Sequence, residues 1–452
     1  MGNELIVEIE KLSSDGTGIT RHNGIVVFVD KTCPQDKCKI KIIKKTKNYY
    51  IGELIEIIEK SPHRIKPFCP MQNVCGACQL QFIDYDYQLE LKKLIVEDSM
   101  RGIDIEIEPV TPSPQTQEFR HKIQYPIRQT QVSKRILAGY FKPKSHDIVN
   151  IKYCPIQPAI CDEIIEYIRE QAPMFKIEGY NEEKHQGLLR HVVIRSSAET
   201  KNNLVVLVIN ANKTPERLKD FAQKLYDRFD NITGITVNFN PNKTNLIMTD
   251  KTELLYGNDF IEEKICDVTF KVGSNTFFQV NPKSAENIFK FVREYISTTF
   301  DKPRILDAYA GISAFGLVVS DLCSEVESVE ECKASVDLAK EVKKLNNINN
   351  IKLHNMDSAK FFEEKLKTAP KSFDAIILDP PRKGCTEESL KYALALTKSK
   401  IIYVSCNPAT LARDLKYLIE KGAKVERIKP FDMFCHTFHV ENVAIIDVSQ
   451  CK

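Results

Sequence analysis

Short stretches of alternating apolar and polar residues dominate the first 60 positions of the chain. The segments ELIVEIE, GIVVFVD, KCKIKII and YYIGELIEII alternate with a period of two, and turn-forming residues such as SSDGTG separate them. This period is typical of strands with one buried face, because successive side chains point to opposite sides of a sheet. Residues 1–60 are therefore predicted to form a small β-barrel domain.

Helical and strand-like patterns are mixed between residues 61 and 270. Apolar residues three and four positions apart predict three helices, in YDYQLELKKLIVEDSMR, CDEIIEYIREQ and PERLKDFAQKLYDRF. Apolar runs bounded by polar residues predict strands in GLLRHVVIR, NNLVVLVIN and GITVNFN. We therefore expect residues 61–270 to form a central α+β domain.

Strands and helices alternate regularly in residues 271–452. Apolar runs predict strands in RILDAYAG, EVESVE, FDAIILDPP, KIIYVSC and NVAIIDV. Helical spacing is found in AENIFKFVREYI, SVDLAKEVKKLN and ATLARDLKYLIEKG. Strand–helix–strand order with continuously apolar strands is typical of a parallel, doubly wound sheet. A C-terminal α/β domain with a Rossmann-like fold is therefore predicted.

The overall composition restricts the class of protein without identifying it. At 452 residues the chain is longer than one ordinary domain, and its formal net charge of +3 neither requires nor excludes a nucleic-acid partner. No apolar stretch is long enough to cross a bilayer, and the first residues lack a signal-peptide pattern. In a reducing compartment the fourteen cysteines are expected to be metal ligands, catalytic thiols or buried apolar residues rather than disulfides. We expect a cytoplasmic monomer without a membrane partner.

Positive charge is concentrated in the predicted barrel. The segment Lys37–Lys47 contains six lysines in eleven residues. Period-two spacing places Lys37, Lys39 and Lys41 on one face of a strand. Such a stripe can follow the phosphates of a nucleic acid, or it can be an ordinary solvated face, and charge alone does not decide between these interpretations.

Three carboxylates close predicted strands of the C-terminal domain. Asp307 ends RILD, Glu330 ends EVESVE, and Asp379 ends AIILD. Ligands bind beyond the carboxyl ends of the strands in a doubly wound sheet, and an acid after the second strand can accept hydrogen bonds from both ribose hydroxyls. The spacing therefore fits an adenosine-containing cofactor, although each acid could instead cap a helix.

The glycine pattern distinguishes only weakly between cofactors. Gly311 and Gly316 follow the first strand, but the chain lacks the G-x-G-x-x-G pattern that lets a backbone approach a pyrophosphate. S-adenosylmethionine has no phosphate and is compatible with sparse glycines. The glycine pattern is therefore compatible with either a methyltransferase or a dehydrogenase.

Cys406 ends the predicted strand KIIYVSC and precedes a predicted helix. Asn407 and Pro408 follow it directly, and Thr410 is placed to start the helix or to cap its first turn. A thiol near a helix N-terminus is expected to have a lowered pKa, because the helix dipole stabilises the thiolate. Judged by its location alone, Cys406 could equally be a structural cysteine buried at the end of a strand.

The residues around Cys406 suit methylation at C5 of a pyrimidine. C5 of uracil is a poor nucleophile until a thiolate adds to C6 and converts the ring to an enolate. C5 can then attack a sulfonium methyl group, after which a carboxylate must remove the C5 proton so that the thiol can leave. The segment DMFCHTFHVE (432–441) supplies a candidate base, Glu441, and DPPRKG (379–384) ends the neighbouring predicted strand.

Four motifs resemble those of the bacterial and archaeal RNA 5-methyluridine methyltransferases. They are SCNPATLARDL (405–415), LDPPRKG (378–384), DMFCHTFHVE (432–441) and SNTFFQVNP (274–282). The resemblance covers nearly the whole chain, and it identifies residues 1–60 as similar to a TRAM barrel. It implies S-adenosylmethionine-dependent methylation of a uridine in RNA, with Cys406 as nucleophile and Glu441 as base. Cofactor contacts are implied for Gln279, Tyr309, Glu330, Asp357 and Asp379.

The resemblance also identifies a basic motif and some departures. Arg120 and Lys122 in EFRHK resemble a basic, substrate-facing motif. Cys435 replaces the usual proline and is expected to loosen the turn that carries His436. Other departures are Ala310 for a common cysteine, Ala314 for a polar residue and His121 for asparagine.

Four of the fourteen cysteines form a separate pattern. Cys69, Cys75 and Cys78 are spaced C-x5-C-x2-C, and Cys154 follows much later beside a proline. Zinc sites more often pair two C-x2-C knuckles, whereas three close cysteines and a distant one suit a four-iron cluster. The family includes members with a [4Fe–4S] cluster at this spacing, which implies one here, holding the central RNA-binding region. Free structural thiols are the alternative.

Two other activities are consistent with parts of the pattern. A TRAM and iron–sulfur RNA-binding protein with a decayed catalytic domain is disfavoured by the presence of Cys406, Glu441, Gln279 and Glu330. Cytosine-C5 methylation also uses cysteine, but the motif here is Ser-Cys-Asn-Pro. Cluster-bearing relatives act on large-subunit ribosomal RNA or on transfer RNA, and we favour 23S ribosomal RNA.

Overall fold

The computed structural model of the chain describes residues 4–451. These residues fall into two compact units, which are described separately. Unit 1 comprises Met1–Gln72, Cys78–Ser113 and Leu378–Lys452. Unit 2 comprises Asn73–Ala77 and Pro114–Ile377.

The N-terminal part of unit 1 is a six-stranded sheet in the order β1-β5-β6-β4-β3-β2. Val27, Val29, Cys38 and Ile40 form its core, alternating with more exposed residues as the period of two predicts. The strands are β1 (Glu4–Glu8), β2 (Lys11–Leu12), β3 (Gly18–His22), β4 (Ile25–Val29), β5 (Lys37–Lys45) and β6 (Tyr49–Glu59).

The predicted lysine stripe lies on the outer face of β5. The ammonium group of Lys37 lies 2.6 Å from a carboxylate oxygen of Glu59, and that of Lys39 lies 2.7 Å from Glu4. Lys41 forms no ion pair within residues 4–451. Two of the three charges are therefore paired with acids, which weakens the stripe as a phosphate-binding surface.

Helix α1 (Tyr85–Ser99) confirms the helix predicted after residue 84. Its N-terminus is capped by the Asp84 side chain, which accepts a hydrogen bond from the N–H of Tyr87 at 2.9 Å. The buried face contains Leu91, Ile95 and Val96, but also the completely buried Lys92. A buried lysine requires a partner, which is described with the candidate site.

The central sheet of unit 2 has six strands in the order β12-β11-β10-β9-β7-β8. Helices α2 (Ala159–Gln171) and α3 (Glu216–Arg228) contribute to a core shared with β7. These elements confirm the predicted α+β pattern. The strands are β7 (Lys122–Gln129), β8 (Ile136–Ala138), β9 (Leu189–Ser196), β10 (Asn203–Ile209), β11 (Ile232–Phe239) and β12 (Thr252–Gly257).

The rest of unit 2 contains a hairpin that the sequence analysis does not predict and four adjacent strands. Strands β13 (Phe260–Ile265) and β14 (Val268–Gly273) pair antiparallel, and α4 (Pro282–Thr299) follows. The four strands have the order β17-β16-β15-β18, and β16 pairs parallel with both β15 and β17. The remaining elements are β15 (Arg304–Ala308), α5 (Ala314–Val319), β16 (Glu325–Glu330), α6 (Lys333–Leu345), β17 (Ile351–Asn355), α7 (Ser358–Thr368) and β18 (Phe373–Leu378).

The C-terminal part of unit 1 departs from the predicted parallel sheet. Its strands have the order β19-β21-β20, and both pairs are antiparallel. Strands β20 and β21 are joined by a short segment without a helix, which allows an antiparallel return. The elements are α8 (Glu387–Leu396), β19 (Thr397–Ser405), α9 (Pro408–Glu420), β20 (Lys424–Phe431) and β21 (Glu441–Asp447). Between residues 4 and 451, no helix combines the length and apolar character needed to cross a bilayer.

Candidate active site

Cys406 lies between the end of β19 and the start of α9, as the strand pattern predicts. The helix cap is Asn407 rather than Thr410, because the Asn407 side chain accepts a hydrogen bond from the N–H of Ala409 at 3.1 Å. The Thr410 hydroxyl instead donates to the carbonyl oxygens of Asn407 (3.1 Å) and Arg382 (3.2 Å). Cys406 is therefore held in a short, well-bonded turn beside a helix N-terminus.

The pairing of β19 with β21 brings Glu441 to Cys406. Ser405 lies opposite Asn442 in this antiparallel pair, and the Asn442 side chain donates to the Ser405 carbonyl at 3.3 Å. Cys406 directly follows Ser405, the last residue of β19, and Glu441 directly precedes Asn442 as the first residue of β21. Cys406 is partly buried and Glu441 is buried. The register thus places a thiol and a carboxyl group side by side at a strand end.

The segment Asp379–Gly384 forms another side of this site. The carbonyl of Arg382 accepts hydrogen bonds from Asn407 (3.3 Å) and Thr410 (3.2 Å), which attaches the segment to the start of α9. The Arg382 guanidinium lies close enough to Cys406 to stabilise its thiolate by hydrogen bonding and charge. Asp379 and Arg382 both act electrostatically on Glu441. Three charged or titratable groups from two separate segments are therefore gathered around one thiol.

The surroundings of Cys406 favour its neutral form. Burial and the charges of Glu441 and Asp379, opposed by Arg382, together raise the pKa of the Cys406 thiol to about 11. The sequence-based expectation of a lowered pKa is therefore wrong in direction. Burial and nearby carboxylates outweigh the helix N-terminus and the guanidinium.

The two carboxyl groups of the site are also perturbed. Burial raises the pKa of Glu441 well above its usual range, Asp379 raises it further, and Arg382 lowers it. Burial also raises the pKa of Asp379 to about 7. Two neighbouring acids of this kind resist simultaneous ionisation. A carboxylate with a raised pKa is a stronger base than an exposed one, which suits removal of a proton from carbon.

A buried polar network supports the segment that leads to Glu441. The Lys92 ammonium contacts Asp432 Oδ1 at 2.6 Å and the Phe434 carbonyl at 3.0 Å, and the Tyr85 hydroxyl donates to Asp432 Oδ2 at 2.8 Å. The N–H of His436 donates to the Gln88 side chain at 3.1 Å. Lys92 was not among the predicted site residues, although a lysine within the apolar face of a predicted helix is a detectable signal.

The position of Cys435 does not disrupt this segment. Cys435 is completely buried, and His436, which follows it, is 4% exposed. The carbonyl of His436 accepts hydrogen bonds from the N–H groups of Gln79 (2.9 Å) and Leu80 (2.8 Å). These contacts fix the turn that the missing proline was expected to loosen.

The candidate cofactor residues Tyr309, Glu330 and Asp357 gather in unit 2 at the ends of β15, β16 and β17. The Glu330 carboxylate accepts hydrogen bonds from the N–H groups of Gly311 (2.9 Å) and Cys332 (2.8 Å). Each carboxylate oxygen has further acceptor capacity, so hydroxyl groups can still bind there. Gly311 has a φ of +55°, which favours glycine in this turn.

Tyr309 and Asp357 are joined through a serine. The N–H of Tyr309 donates to the Ser358 hydroxyl at 3.2 Å, and Asp357 caps α7 by accepting from the N–H of Lys360 at 3.1 Å. Asp357 therefore acts as the N-cap of α7, a local contact that the sequence analysis raised only for Asp307, Glu330 and Asp379. Gln279 is partly buried ahead of α4, and no hydrogen bond joins its side chain to these residues in the described part of the chain. Asp379 belongs to unit 1.

Asp307 has a structural contact rather than a cofactor-facing one. One of its carboxylate oxygens accepts a hydrogen bond from the N–H of Gly316 at 2.9 Å. A Cβ at Gly316 would lie 3.0 Å from that oxygen and 2.5 Å from the Ser328 hydroxyl. Gly316 therefore permits close packing of α5 against the strands and need not indicate a phosphate site.

The four cysteines predicted to hold a cluster are divided between the two units, with Cys69 and Cys78 in unit 1 and Cys75 and Cys154 in unit 2. None of the four forms a disulfide within the described chain; Cys69, Cys75 and Cys78 are partly buried in a segment of turns, and Cys154 is buried. Within residues 4–451, no three His, Cys, Asp or Glu side chains are grouped so as to hold a metal ion. The proposed four-iron cluster therefore rests on the cysteine spacing and the family resemblance.

Comparisons with known proteins agree on one family. The model of the tRNA (Uracil-5-)-methyltransferase family matches residues 84–448, and that of the TRAM domain matches residues 1–55. An uncharacterized RNA methyltransferase of Halalkalibacterium halodurans is 34% identical over 446 residues, covering 98% of this chain and 96% of the relative. One from Clostridium acetobutylicum is 36% identical over 453 residues, covering 98% and 97%.

A solved structure extends this similarity to the fold. It is the Pyrococcus abyssi tRNA (uracil-54, C5)-methyltransferase in complex with S-adenosyl-L-homocysteine. It superposes with a TM-score of 0.78 at 28% identity, covering 98% of this chain and 100% of that one.

Proposed function

Because this chain belongs to the tRNA (uracil-5-)-methyltransferase family of S-adenosylmethionine-dependent RNA methyltransferases, we propose that it methylates C5 of one specific uridine through a covalent adduct with Cys406. The observation that carries this proposal is the pairing register that sets Cys406 beside Glu441. A thiol and a basic carboxyl group at one point are the two groups that C5 methylation requires.

The reaction begins when the Cys406 thiol releases its proton to solvent and the resulting thiolate attacks C6 of the uracil. The electron pair of the C5–C6 bond moves towards C5 and O4, giving an enolate. Arg382 stabilises the thiolate before attack, because its positive charge faces the sulfur. Burial of Cys406 keeps water away from the adduct.

C5 then forms a bond to the methyl carbon as the carbon–sulfur bond of the sulfonium breaks. S-adenosylmethionine supplies that methyl group. The Glu441 carboxylate next takes the proton from C5, and the electrons of the C–H bond restore the C5–C6 double bond and expel the Cys406 thiolate. The raised pKa of Glu441 makes its ionised form suited to this step.

We assign the cofactor to the carboxyl ends of β15, β16 and β17. Glu330 is proposed to bind the ribose hydroxyls, since its oxygens retain acceptor capacity beside the Gly311 turn. Tyr309 and Asp357, joined through Ser358, are proposed to bind the adenosine side of the cofactor. Gln279 and Asp379 complete the proposed set on the family pattern alone.

The favoured substrate is 23S ribosomal RNA, and transfer RNA is the second candidate. The Pyrococcus abyssi relative is named for transfer RNA, which supports the second candidate. The test is to map 5-methyluridine in both RNAs from a strain that lacks the protein and from a strain complemented with it. Loss of one ribosomal 5-methyluridine supports the first candidate, and loss from transfer RNA supports the second. Unchanged 5-methyluridine in both RNAs would contradict the proposed function and favour a non-catalytic RNA-binding protein.

The domain organisation and cellular state are further proposals. The proposed domains are a TRAM-like barrel at 1–60, a central RNA-binding domain at 61–270 and a methyltransferase domain at 271–452. Light scattering during size-exclusion chromatography tests the proposed monomer. Fractionation of cells tests the proposed cytoplasmic location.

A [4Fe–4S] cluster on Cys69, Cys75, Cys78 and Cys154 also remains a proposal, supported by cysteine spacing and family resemblance. No step of methyl transfer is assigned to it. Anaerobic purification should give a brown protein with four iron and four sulfide per chain on this proposal. A colourless protein with stoichiometric zinc, or one without metal, would contradict it.

A further inference from the structure

The central sheet of unit 2 has one face that the helices do not cover. On β7, Ile123, Tyr125 and Ile127 pack into the core that includes α2 and α3. The residues between them must point to the other side, because successive side chains of a strand alternate. This opposite face carries Lys122, Gln124, Pro126 and Arg128 from β7, and His191, Val193 and Arg195 from β9.

Two adjoining cavities lie on this face, and we call them together the β7–β9 pocket. One has a volume of about 350 Å³, within the range of small-ligand sites, and is lined by residues that include Gln124, Tyr140, Tyr180, His191 and Asn245. The other, of about 420 Å³, is lined by residues that include Lys122, Arg195 and Ser274. Both cavities are lined by Gln124, Asn245 and Ile247, so they share a wall.

The Lys122 end of the β7–β9 pocket carries unneutralised positive charge. Lys122 lies opposite Arg195 in the β7–β9 pair. Arg195 is buried and donates to the carbonyls of Ser274 and Thr276, not to an acid. Within residues 4–451, Lys122 has no ion pair or side-chain hydrogen bond, and the exposed Asp250 at the rim pairs with neither cation. A buried and a partly buried cation that lie side by side, with no acid paired to either, favour an anionic ligand.

The ionisation of Lys122 reflects the same arrangement. Burial, together with the charges of Arg195 and Arg120, lowers the pKa of Lys122 to about 7. A bound phosphate would reverse this effect, because a negative charge favours the ammonium form.

The other end of the β7–β9 pocket offers aromatic surfaces and unused hydrogen-bonding groups. The Arg120 guanidinium lies over the ring of Tyr140 (5.1 Å), and that of Arg190 lies over the ring of Tyr180 (4.5 Å). His191 Nδ1 is buried without a hydrogen-bond partner in the described part of the chain. The Gln124 side-chain amide likewise has no partner among residues 4–451. Unpaired groups of this kind are costly unless a ligand uses them.

One wall of the pocket is held in place by Arg190. Its guanidinium donates to the carbonyl of Asn240 (2.6 Å), to that of Asn242 (2.6 Å) and to that of Thr244 (3.2 Å). These bonds fix the segment that includes Asn245. The wall is therefore preorganised, which lowers the ordering cost of binding a ligand.

We propose that the β7–β9 pocket binds one unpaired nucleotide of the RNA substrate, distinct from the uridine that is methylated. The phosphate of this nucleotide lies at the Lys122 end. Its base lies in the cavity of Tyr140 and Tyr180, where Gln124 and His191 hydrogen-bond to its edge. Unpaired RNA bases are recognised by this combination of a cationic end, aromatic surfaces and polar groups. The target uridine is excluded from this pocket because its reaction requires Cys406, which does not line it.

This inference rests on the proposed function and makes the pocket a determinant of which uridine is methylated. A site built to hydrogen-bond a base discriminates strongly, because a wrong base leaves buried polar groups unpaired. Nucleotide recognition in the β7–β9 pocket would therefore select RNA by the sequence of an unpaired position near the target.

The test combines protein variants with RNA that lacks single bases. The RNA is the transcript containing the uridine whose methylation is lost in the deletion strain, prepared with an abasic nucleotide at each unpaired position in turn. The proteins are the full-length wild type, Gln124→Leu and His191→Phe, with Gln223→Leu on α3 as the matched control. The dissociation constant of each pair is measured by fluorescence anisotropy, and the melting temperature of each variant is recorded.

One abasic position should weaken binding to the wild type by about tenfold. Gln124→Leu should bind intact RNA about tenfold more weakly than the wild type does, and the abasic change at that position should not weaken its binding further. Gln223→Leu should match the wild type on every RNA. His191→Phe should likewise bind intact RNA about tenfold more weakly than the wild type does. Its affinity should not fall further when the RNA is abasic at that same position. Wild-type affinity in both pocket variants would overturn the inference. It would also be overturned if each variant weakened binding to every abasic RNA by the same factor as it weakened binding to intact RNA. Methylation by the wild type is followed in parallel, so absent 5-methyluridine contradicts the proposed function separately.

Discussion

The ammonium group of Lys92 lies 2.6 Å from a carboxylate oxygen of Asp432, and both side chains are completely buried. Lys92 comes from α1, and Asp432 begins the segment that ends at Glu441. The same ammonium group also donates to the Phe434 carbonyl. A buried ion pair whose hydrogen bonds are shared with the backbone fixes its segment more firmly than a surface pair. Lys92 is therefore a positioning residue for the candidate base.

The first prediction concerns Lys92→Met, which leaves Asp432 buried without its partner. We expect unfolding free energy to fall by about 3 to 5 kcal/mol, because an uncompensated buried charge is costly. Urea denaturation measures this loss. The matched control is Lys93→Met, which removes only a surface pair with Glu97 and should change stability by less than about 1 kcal/mol.

A double variant separates positioning from mere stability. Lys92→Met combined with Asp432→Leu removes both charges and should recover much of the lost stability. Turnover should stay low in the double variant, since the segment before Glu441 has lost its attachment. Full activity in this stable double variant would show that Lys92 does not position the base.

The second prediction concerns the close approach of Gly16 to Phe438. Gly16 has a φ of +77°, and a Cβ there would lie 3.1 Å from two atoms of the Phe438 side chain. Gly24 has a similar φ of +79°, but a Cβ there would meet no atom within 4 Å. Gly24→Ala should therefore cost about 1 kcal/mol from backbone strain alone. Gly16→Ala should cost at least about 1 kcal/mol more, because Phe438 must also move.

Thermal denaturation and turnover measure this difference. Because Phe438 belongs to the segment 432–441, Gly16→Ala should also lower turnover, whereas Gly24→Ala should not. Equal effects of the two variants on both quantities would mean that the N-terminal sheet does not support the active-site segment.

The third prediction concerns the pH dependence of Cys406 in the free enzyme. With a pKa of about 11, roughly one thiol in a thousand is ionised at pH 8. Only the thiolate reacts with iodoacetamide, so the alkylation rate of Cys406 should rise about tenfold per pH unit between pH 7 and pH 10. Mass spectrometry of the Cys406 peptide measures this rate.

Arg382 tests the electrostatic part of this account. Arg382→Gln removes the charge that lowers the pKa of Cys406, so alkylation at pH 8 should slow severalfold and the profile should move to higher pH. Lys383→Gln removes the adjacent exposed cation and should leave the profile unchanged. A rate that levels off near pH 8 in the wild type would mean that the thiol pKa is not raised.

The fourth prediction concerns Glu441→Gln. The glutamine can neither accept the C5 proton nor release the adduct, so methylated RNA should remain covalently attached to Cys406. Ordinary uridine RNA with S-adenosylmethionine should then give a slowly migrating band on a denaturing gel, which the wild type clears. Absence of that band, with turnover near the wild-type rate, would exclude Glu441 as the base.

Some of the site could be predicted from the sequence because it lies at element ends. The apolar runs before Glu330 and Cys406 are strong strand signals, and they place both residues where a sheet binds ligands. The antiparallel pairing of β21 was not predicted, because a single apolar run does not reveal its direction. The predicted cluster rested on spacing, which does not determine where side chains lie in space.

Other features depend on residues that are distant in sequence. The pKa of Cys406 was predicted in the wrong direction because Glu441 and the burial of the thiol come from remote segments. The role of Lys92 depends on Asp432, more than 300 residues away, and no local pattern identifies that partner. Thr410 was a plausible helix cap, but Asn407 caps instead because its side chain reaches the first free N–H group.

The most direct test of the central claim is covalent trapping on RNA that contains 5-fluorouridine at the target position. With S-adenosylmethionine present, C5 is methylated but its fluorine cannot be removed as a proton would be, so the adduct with the nucleophile persists on a denaturing gel. The wild type and Cys332→Ala, which alters an exposed cysteine, should both give the trapped complex. Cys406→Ala should give neither the complex nor 5-methyluridine. A trapped complex or undiminished methylation in Cys406→Ala would contradict the account.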